Sequence, residues 1–108
     1  MVRVILHKRE DGMLSGFEVE GHTAFAPHGE DIVCAGISIL AQTTAMGLQK
    51  VLELEPEIKV EEGYLKCHFQ KPLTREKQRE AAVLMDTMVL GMEETARHYP
   101  GYLEIKYS

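Results

Sequence analysis

Ser15-Gly16-Phe17-Glu18-Val19-Glu20 runs into Gly21-His22-Thr23-Ala24-Phe25-Ala26-Pro27-His28-Gly29-Glu30, and that into Asp31-Ile32-Val33-Cys34-Ala35-Gly36-Ile37-Ser38-Ile39-Leu40. In the first stretch Phe17 and Val19 alternate with Glu18 and Glu20, the period of a strand buried on one side and wet on the other. In the second no helical or strand period survives and glycines frame the segment, which predicts a loop. In the third Val33, Ile37 and Leu40 recur at three and four, and Thr44, Leu48 and Val51 continue them. That spacing predicts a helix over 31–54, with Glu30 or Asp31 as its acidic start and Glu55-Pro56 as its stop.

Working outward, Val2, Val4 and Leu6 share one face of a strand over residues 2–8, and Glu10-Asp11-Gly12 supplies a turn into the strand at 15–20. A second hairpin is predicted from residues 57–62 and 64–70 around Glu62-Gly63. There Ile58 and Val60 are expected to face inward, as are Leu65, Cys67 and Phe69, with His68 outward beside Lys66 and Gln70. A second helix is expected from an N-cap at Thr74 to His98, with Ala82, Met85, Val89, Met92 and Ala96 on one stripe and Pro100-Gly101 after it. Residues 102–107 alternate as a last strand. The order ββαββαβ, dominated by hairpins, predicts an α+β fold in which a mostly antiparallel sheet of about five strands packs on two helices.

At 108 residues the chain is expected to form a single domain spanning 1–108. A composition 44% hydrophobic and 27% charged is that of a globular protein, so no disordered or fibrous class applies. The formal net charge of -5 argues against direct nucleic acid binding, which needs clustered Lys and Arg. Lys71, Arg75, Lys77 and Arg79 are expected to form a solvated helix face, with an RNA or ribosome contact as the lesser reading. Residues 1–7 are too short and too charged for a signal peptide or a membrane span, so a cytoplasmic protein with no membrane partner is expected. Cys34 and Cys67 have no CxxC spacing. They form neither a disulfide framework nor a zinc knuckle, and each needs its own account.

Cys34 falls about three residues into the expected helix, where unpaired N–H groups and the helix dipole favour a thiolate, the nucleophilic form. The same residue would also serve as a small apolar residue packed on that helix. His22 stands at the far end of the glycine-framed loop, directly after a strand. A strand end and a helix start face each other across such a loop, so the imidazole is placed to take the thiol proton and return it to a leaving amine. A loop histidine bonded to a carbonyl or to water fits the same position. Asp31 reads either as an N-cap or as a third member that orients an imidazolium. Ser38, four residues after Cys34, reads either as lining the site or as bonding back to the helix. The natural oxyanion donors are N–H groups at the helix start, chiefly that of Cys34.

Zinc is the main chemical rival, since His22, His28 and Cys34 lie near Glu30 and Asp31. Their spacing matches no familiar ligand pattern, and neither a metal nor another cofactor is expected. Strand alternation sends Cys67 into the core. His7 and His98 read as surface residues.

Gly21-His22, a short loop, and the run from Gly29 to Ser38 containing Asp31-Ile32-Val33-Cys34-Ala35 closely resemble the signature of the ribosomal-processing cysteine protease family, Prp. The resemblance implies that His22 and Cys34 are the catalytic pair, that Asp31 and Ser38 are accessory positions, and that the chain forms a homodimer, in keeping with a helix apolar on nearly every side. As substrate it implies the N-terminal extension peptide of a large-ribosomal-subunit protein precursor, removed after a short hydrophobic, aromatic-containing stretch so that the subunit can mature. Thr23 stands where the family usually has a small residue. On this basis Gly21, Phe25 and Gly29 belong to a substrate loop expected to close over a bound peptide as a lid. The competing reading is a non-catalytic ribosome-associated assembly or binding factor in which Cys34 is structural.

Overall fold

A computed structural model describes residues 1–21 and 28–108, with only the backbone described for 28–31. Five strands and two helices follow in the order β1 (Val2–Lys8), β2 (Leu14–Glu20), α1 (His28–Met46), β3 (Glu57–Glu61), β4 (Tyr64–His68), α2 (Arg75–His98) and β5 (Leu103–Tyr107). The strands form one sheet in the order β3-β4-β2-β1-β5. Every neighbouring pair is antiparallel except β1 with β5, which run parallel. The architecture is the expected α+β one.

Local chemistry sets the turns. Asp11 accepts a bond from the Met13 N–H at 2.9 Å, and Gly12 takes φ 85 between β1 and β2. Gly63, at φ 74, turns β3 into β4. Both conformations are ones that side chains with a Cβ rarely adopt. Thr74 caps α2 as expected, its hydroxyl accepting the Lys77 N–H at 3.2 Å.

Alternation then divides the sheet into two faces. Val2, Val4, Leu6, Phe17, Val19 and Cys67 are buried beneath the helices. Against them α1 sets Val33, Ile37, Ala41 and Ala45, the turn that follows it sets Leu48, and α2 sets Ala81, Met85, Met88 and Met92. Each large side chain so buried contributes about 1.5–3 kcal/mol relative to exposure. The stripe of α2 is rotated slightly from the expected one, with Ala81 and Met88 fully buried and Ala82 and Ala96 only partly. The opposite face is open and polar, and there Glu18 joins His7 and Tyr64, each at 2.5 Å. Hence His7 is half-buried and paired, not a free surface residue.

Three further expectations are corrected. The first helix begins at His28, three residues before Asp31, and Pro27 directly ahead of it is the sequence cue, since proline favours helix starts. It leaves α-geometry at Met46 and continues as a π-helical turn, Gly47–Val51, closed by Leu52 N–H to Gly47 O at 3.0 Å. The wider turn rotates the following residues off the buried stripe. Val51, expected inside, is therefore 75% exposed, while Leu52 takes up partial burial. Finally, Val60 lies on the helix-facing side of the sheet but is 68% exposed, because α1 packs on β1 and β2 and does not reach over β3.

Candidate active site

The path to the candidate site begins where β2 ends. Gly21 follows Glu20 with φ 87, and a Cβ there would sit 2.4 Å from the Met1 carbonyl oxygen. Only glycine fits both the conformation and the approach. His22 and Phe25 come next in the chain and lie outside the described residues, as does the part of the expected lid over residues 22–27. Gly29 and Asp31 fall in the first turns of α1, where the backbone alone is described.

Cys34 is the seventh residue of α1 and only 2% exposed. Its position differs from the expected first-turn placement. An α-helix leaves its first four N–H groups unpaired and its dipole acts mainly over the first turn, so both features belong to residues 28–31 and not to Cys34. The helix start therefore does not make the Cys34 amide an oxyanion donor.

Ser38 lies one turn further on the same side of α1 and is half-buried. Among the described residues its hydroxyl makes no bond back to the helix, unlike Thr44, which donates to Leu40 O at 2.7 Å. It lines instead a cavity of about 120 Å³ between α1 and the β3–β4 hairpin. Larger depressions, of about 280 and 490 Å³, surround residues 69–73. They lie at the other end of the sheet, since Phe69 N–H bonds Ser15 O near the start of β2, so chemistry rather than size selects the smaller cavity.

Cys67 is a contrasting thiol. It lies on β4 opposite Phe17 and Ile58, 1% exposed, and burial pushes its pKa up to about 12. At neutral pH it is a protonated core residue, as alternation predicts. His68, its neighbour, projects to the open face, where its Nδ1 is buried and has no hydrogen-bond partner among the described residues. Among the described residues, no group of three His, Cys, Asp or Glu side chains is arranged to hold a metal ion.

The chain is similar along its length to known proteins. The family model described as Cysteine protease Prp matches residues 1–104. A Bacillus subtilis protein named ribosomal processing cysteine protease Prp is 28% identical over 97% of this chain and 96% of its own length. A Staphylococcus aureus protein of the same name is 22% identical over 99% of each chain. Among solved structures, SMU.848 from Streptococcus mutans superposes with a TM-score of 0.87 at 24% identity, covering 99% of this chain and 93% of that one. The ribosomal processing protease Prp from S. aureus, solved in complex with a substrate peptide, gives a TM-score of 0.84 at 19% identity over the whole of both chains.

Proposed function

We propose, since this chain belongs to the cysteine protease Prp family and is therefore a cysteine-type peptidase, that it removes the N-terminal extension of a large-ribosomal-subunit protein with Cys34 as nucleophile and His22 as general base. The observation that carries the reading is the placement of Cys34. It lies on the helix that follows Gly21-His22 in sequence, within a family match that spans nearly the whole chain. Cys67, the other thiol, is raised to about 12 by burial and is unsuited to attack at neutral pH.

In this scheme His22 accepts the Cys34 proton as sulfur forms a bond to the scissile carbonyl carbon. The tetrahedral intermediate collapses with cleavage of the C–N bond, and the departing amine takes the proton from His22. Water, deprotonated by the same imidazole, then hydrolyses the thioester and restores the thiol. Unpaired N–H groups at the start of α1 are the candidate oxyanion donors, at residues 28–31. Asp31 and Ser38 are accessory positions.

A homodimer is part of the proposal. Ile32, Ile39 and Met46 recur at intervals of seven on the outside of α1 and are exposed, as are Val83 and Leu90 on α2. Such a stripe is the kind of surface that a second copy covers. Residues 32–51 are also long and apolar enough to cross a membrane, with mean hydropathy 1.4. In this fold, however, α1 packs on α2, β1 and β2.

The test is incubation of the protein with a peptide bearing a ribosomal-protein extension, read by mass spectrometry. Cleavage by the wild type and none by Cys34→Ala or His22→Ala, with circular dichroism unchanged, is the expected result. Full cleavage by Cys34→Ala would overturn the assignment. Stoichiometric binding without cleavage by the wild type would favour the assembly-factor reading.

A further inference from the structure

On the sheet face turned away from the helices, His68 of β4, Gly16 of β2 and His7 of β1 form one row, each paired with the next in register. Gly16 adds no side chain to it, so the two imidazoles flank a gap two strand spacings wide, about 10 Å. A Cβ at Gly16 would fall 2.4 Å from the His68 Cβ, which keeps that gap open. The register shift between His7 and Lys8 leaves Ser15 as an extra residue at this end of the row, and a bulge of that kind re-aims a side chain. The result is an open cavity of about 430 Å³ lined by His7, Lys8, Ser15, Lys66, His68 and Ser108.

Its lining is cationic and short of partners. On the same face Arg3, Lys59 and Lys106 are paired with Glu20, Glu61 and Glu104. Among the described residues no ion pair holds Lys66 or Lys8, and Lys8 rests over the Tyr107 ring at 4.5 Å. Two carboxylates stand nearby without lining the cavity. Glu18 engages His7 with one oxygen and the Tyr64 hydroxyl with the other, and Glu57 lies beyond His68 on β3. The Nδ1 of His68 is buried and has no partner among the described residues, so Nε2 is the ring nitrogen left to meet a ligand. A buried N–H without an acceptor is rarer than a buried lone pair, which assigns the proton of the neutral ring to Nε2 and makes it a donor.

We infer that this notch binds a phosphate group, as the free anion or as the monoester of a small molecule. The ammonium groups of Lys8 and Lys66, the His68 Nε2–H and the Ser15 hydroxyl belong to three different strands. Donors brought together from three strands suit a tetrahedral group with several acceptor oxygens. A planar carboxylate is matched best by the fork of an arginine, and no arginine lines the cavity, whereas lysine holds phosphate as a point charge. The notch is on the opposite side of the sheet from α1 and Cys34, so it stands apart from the peptidase reading.

The experiment titrates the protein with inorganic phosphate at constant ionic strength, followed by calorimetry and by the NMR signals of the histidine rings. Saturable binding that moves the His68 signals is expected. Lys66→Gln and Lys8→Gln are each expected to weaken it by at least ~10-fold, the scale of one hydrogen bond to a charged group. Lys59→Gln, on the same face but outside the cavity, is expected to retain it. Lys8 is exposed, so its variant decides the matter even if the half-buried Lys66→Gln fails to fold. Adenosine monophosphate in place of phosphate separates the two sources: tighter binding identifies a monoester as the ligand, and weaker or equal binding identifies the free anion. Absence of saturable binding at tens of millimolar phosphate would overturn the site. Equal affinity for acetate would overturn it as well, as would equal losses in Lys59→Gln and Lys8→Gln or no loss in Lys8→Gln, because each shows attraction to diffuse charge and not to a built notch.

Discussion

Cys34 and Cys67 are buried to the same degree, yet they belong to chemically different regions. Cys67 is held in a strand between two others, opposite Phe17 and Ile58, and burial without a compensating partner pushes its pKa up to about 12. Cys34 lies on a helix whose next turn, at Ser38, already borders an open cavity. The difference teaches that exposure alone does not tell the two thiols apart: what differs is the element that carries each and the opening that borders the helix of Cys34.

The sharpest way to break the comparison is to remove each sulfur in turn. Cys34→Ala is expected to lower peptide hydrolysis by at least ~10⁴-fold, the scale of losing a nucleophile. Cys67→Ala is expected to leave kcat/KM within about twofold and to cost ~1 kcal/mol in urea unfolding, as a small buried side chain is trimmed. A large activity loss in Cys67→Ala at unchanged stability would contradict the assignment of roles.

Alkylation sharpens the same contrast chemically. At pH 8 a thiol held at about 12 carries roughly 10³-fold less thiolate than a free cysteine near ~8.5. Iodoacetamide in native buffer is therefore expected to spare Cys67, and the proposed role of Cys34 as nucleophile predicts that Cys34 takes the label, with peptide mapping to locate it. Rapid native labelling of Cys67 would show that its strand opens readily.

The Cys67 strand has two further supports whose removal tests how firmly it is held. A Cβ on Gly16 would lie 2.4 Å from the His68 Cβ and 2.5 Å from the Cys67 carbonyl oxygen. Gly16→Ala must push β4 from β2 and is expected to cost about 2–3 kcal/mol. On the open face the Tyr64 hydroxyl donates to Glu18, which lowers the Glu18 pKa and raises that of Tyr64 to about 12. The two signs are opposite. Stability from Glu18 is present above the ordinary carboxylate range and lost as pH falls through its depressed folded pKa, whereas that from Tyr64 is present below pH ~10 and lost as pH rises through ~12. Tyr64→Phe is thus expected to destabilise by ~1 kcal/mol at pH 7, after allowance for solvent exposure, and the deficit should shrink at both extremes.

The smallest effect concerns the far end of the Cys34 helix. After the π-turn Glu53 takes φ 55, and Leu54 N–H reaches Leu48 O at 2.9 Å to close the end. Glycine adopts that conformation without a Cβ penalty, so Glu53→Gly is expected to raise stability by about 0.5–1 kcal/mol without altering peptide cleavage. Unfolding curves check the first part and kcat/KM the second.

Much of this was legible because it is local. Alternation at Phe17–Val19 and at Leu65–Cys67, the cap at Thr74, and glycines at the turns each act within a few residues, and the observed elements follow them. The start of α1 is not legible in apolar periodicity, because its first residues, His28 and Gly29, carry none. The exposure of Val51 is not legible either, because a π-turn shifts the phase of a helix without changing which residues are apolar.

The sequence by itself determined the ββαββαβ order, the family signature around Gly21-His22 and Cys34, and the buried fate of Cys67, all set by short-range pattern. Only the tertiary structure decided that Cys34 lies beyond the first turn of α1, that Val60 stays uncovered, and that Ser38 faces a cavity. Those outcomes depend on how far a helix extends over a sheet and how its phase drifts along its length. Both are properties of packing between segments distant in the chain, which no window of residues contains.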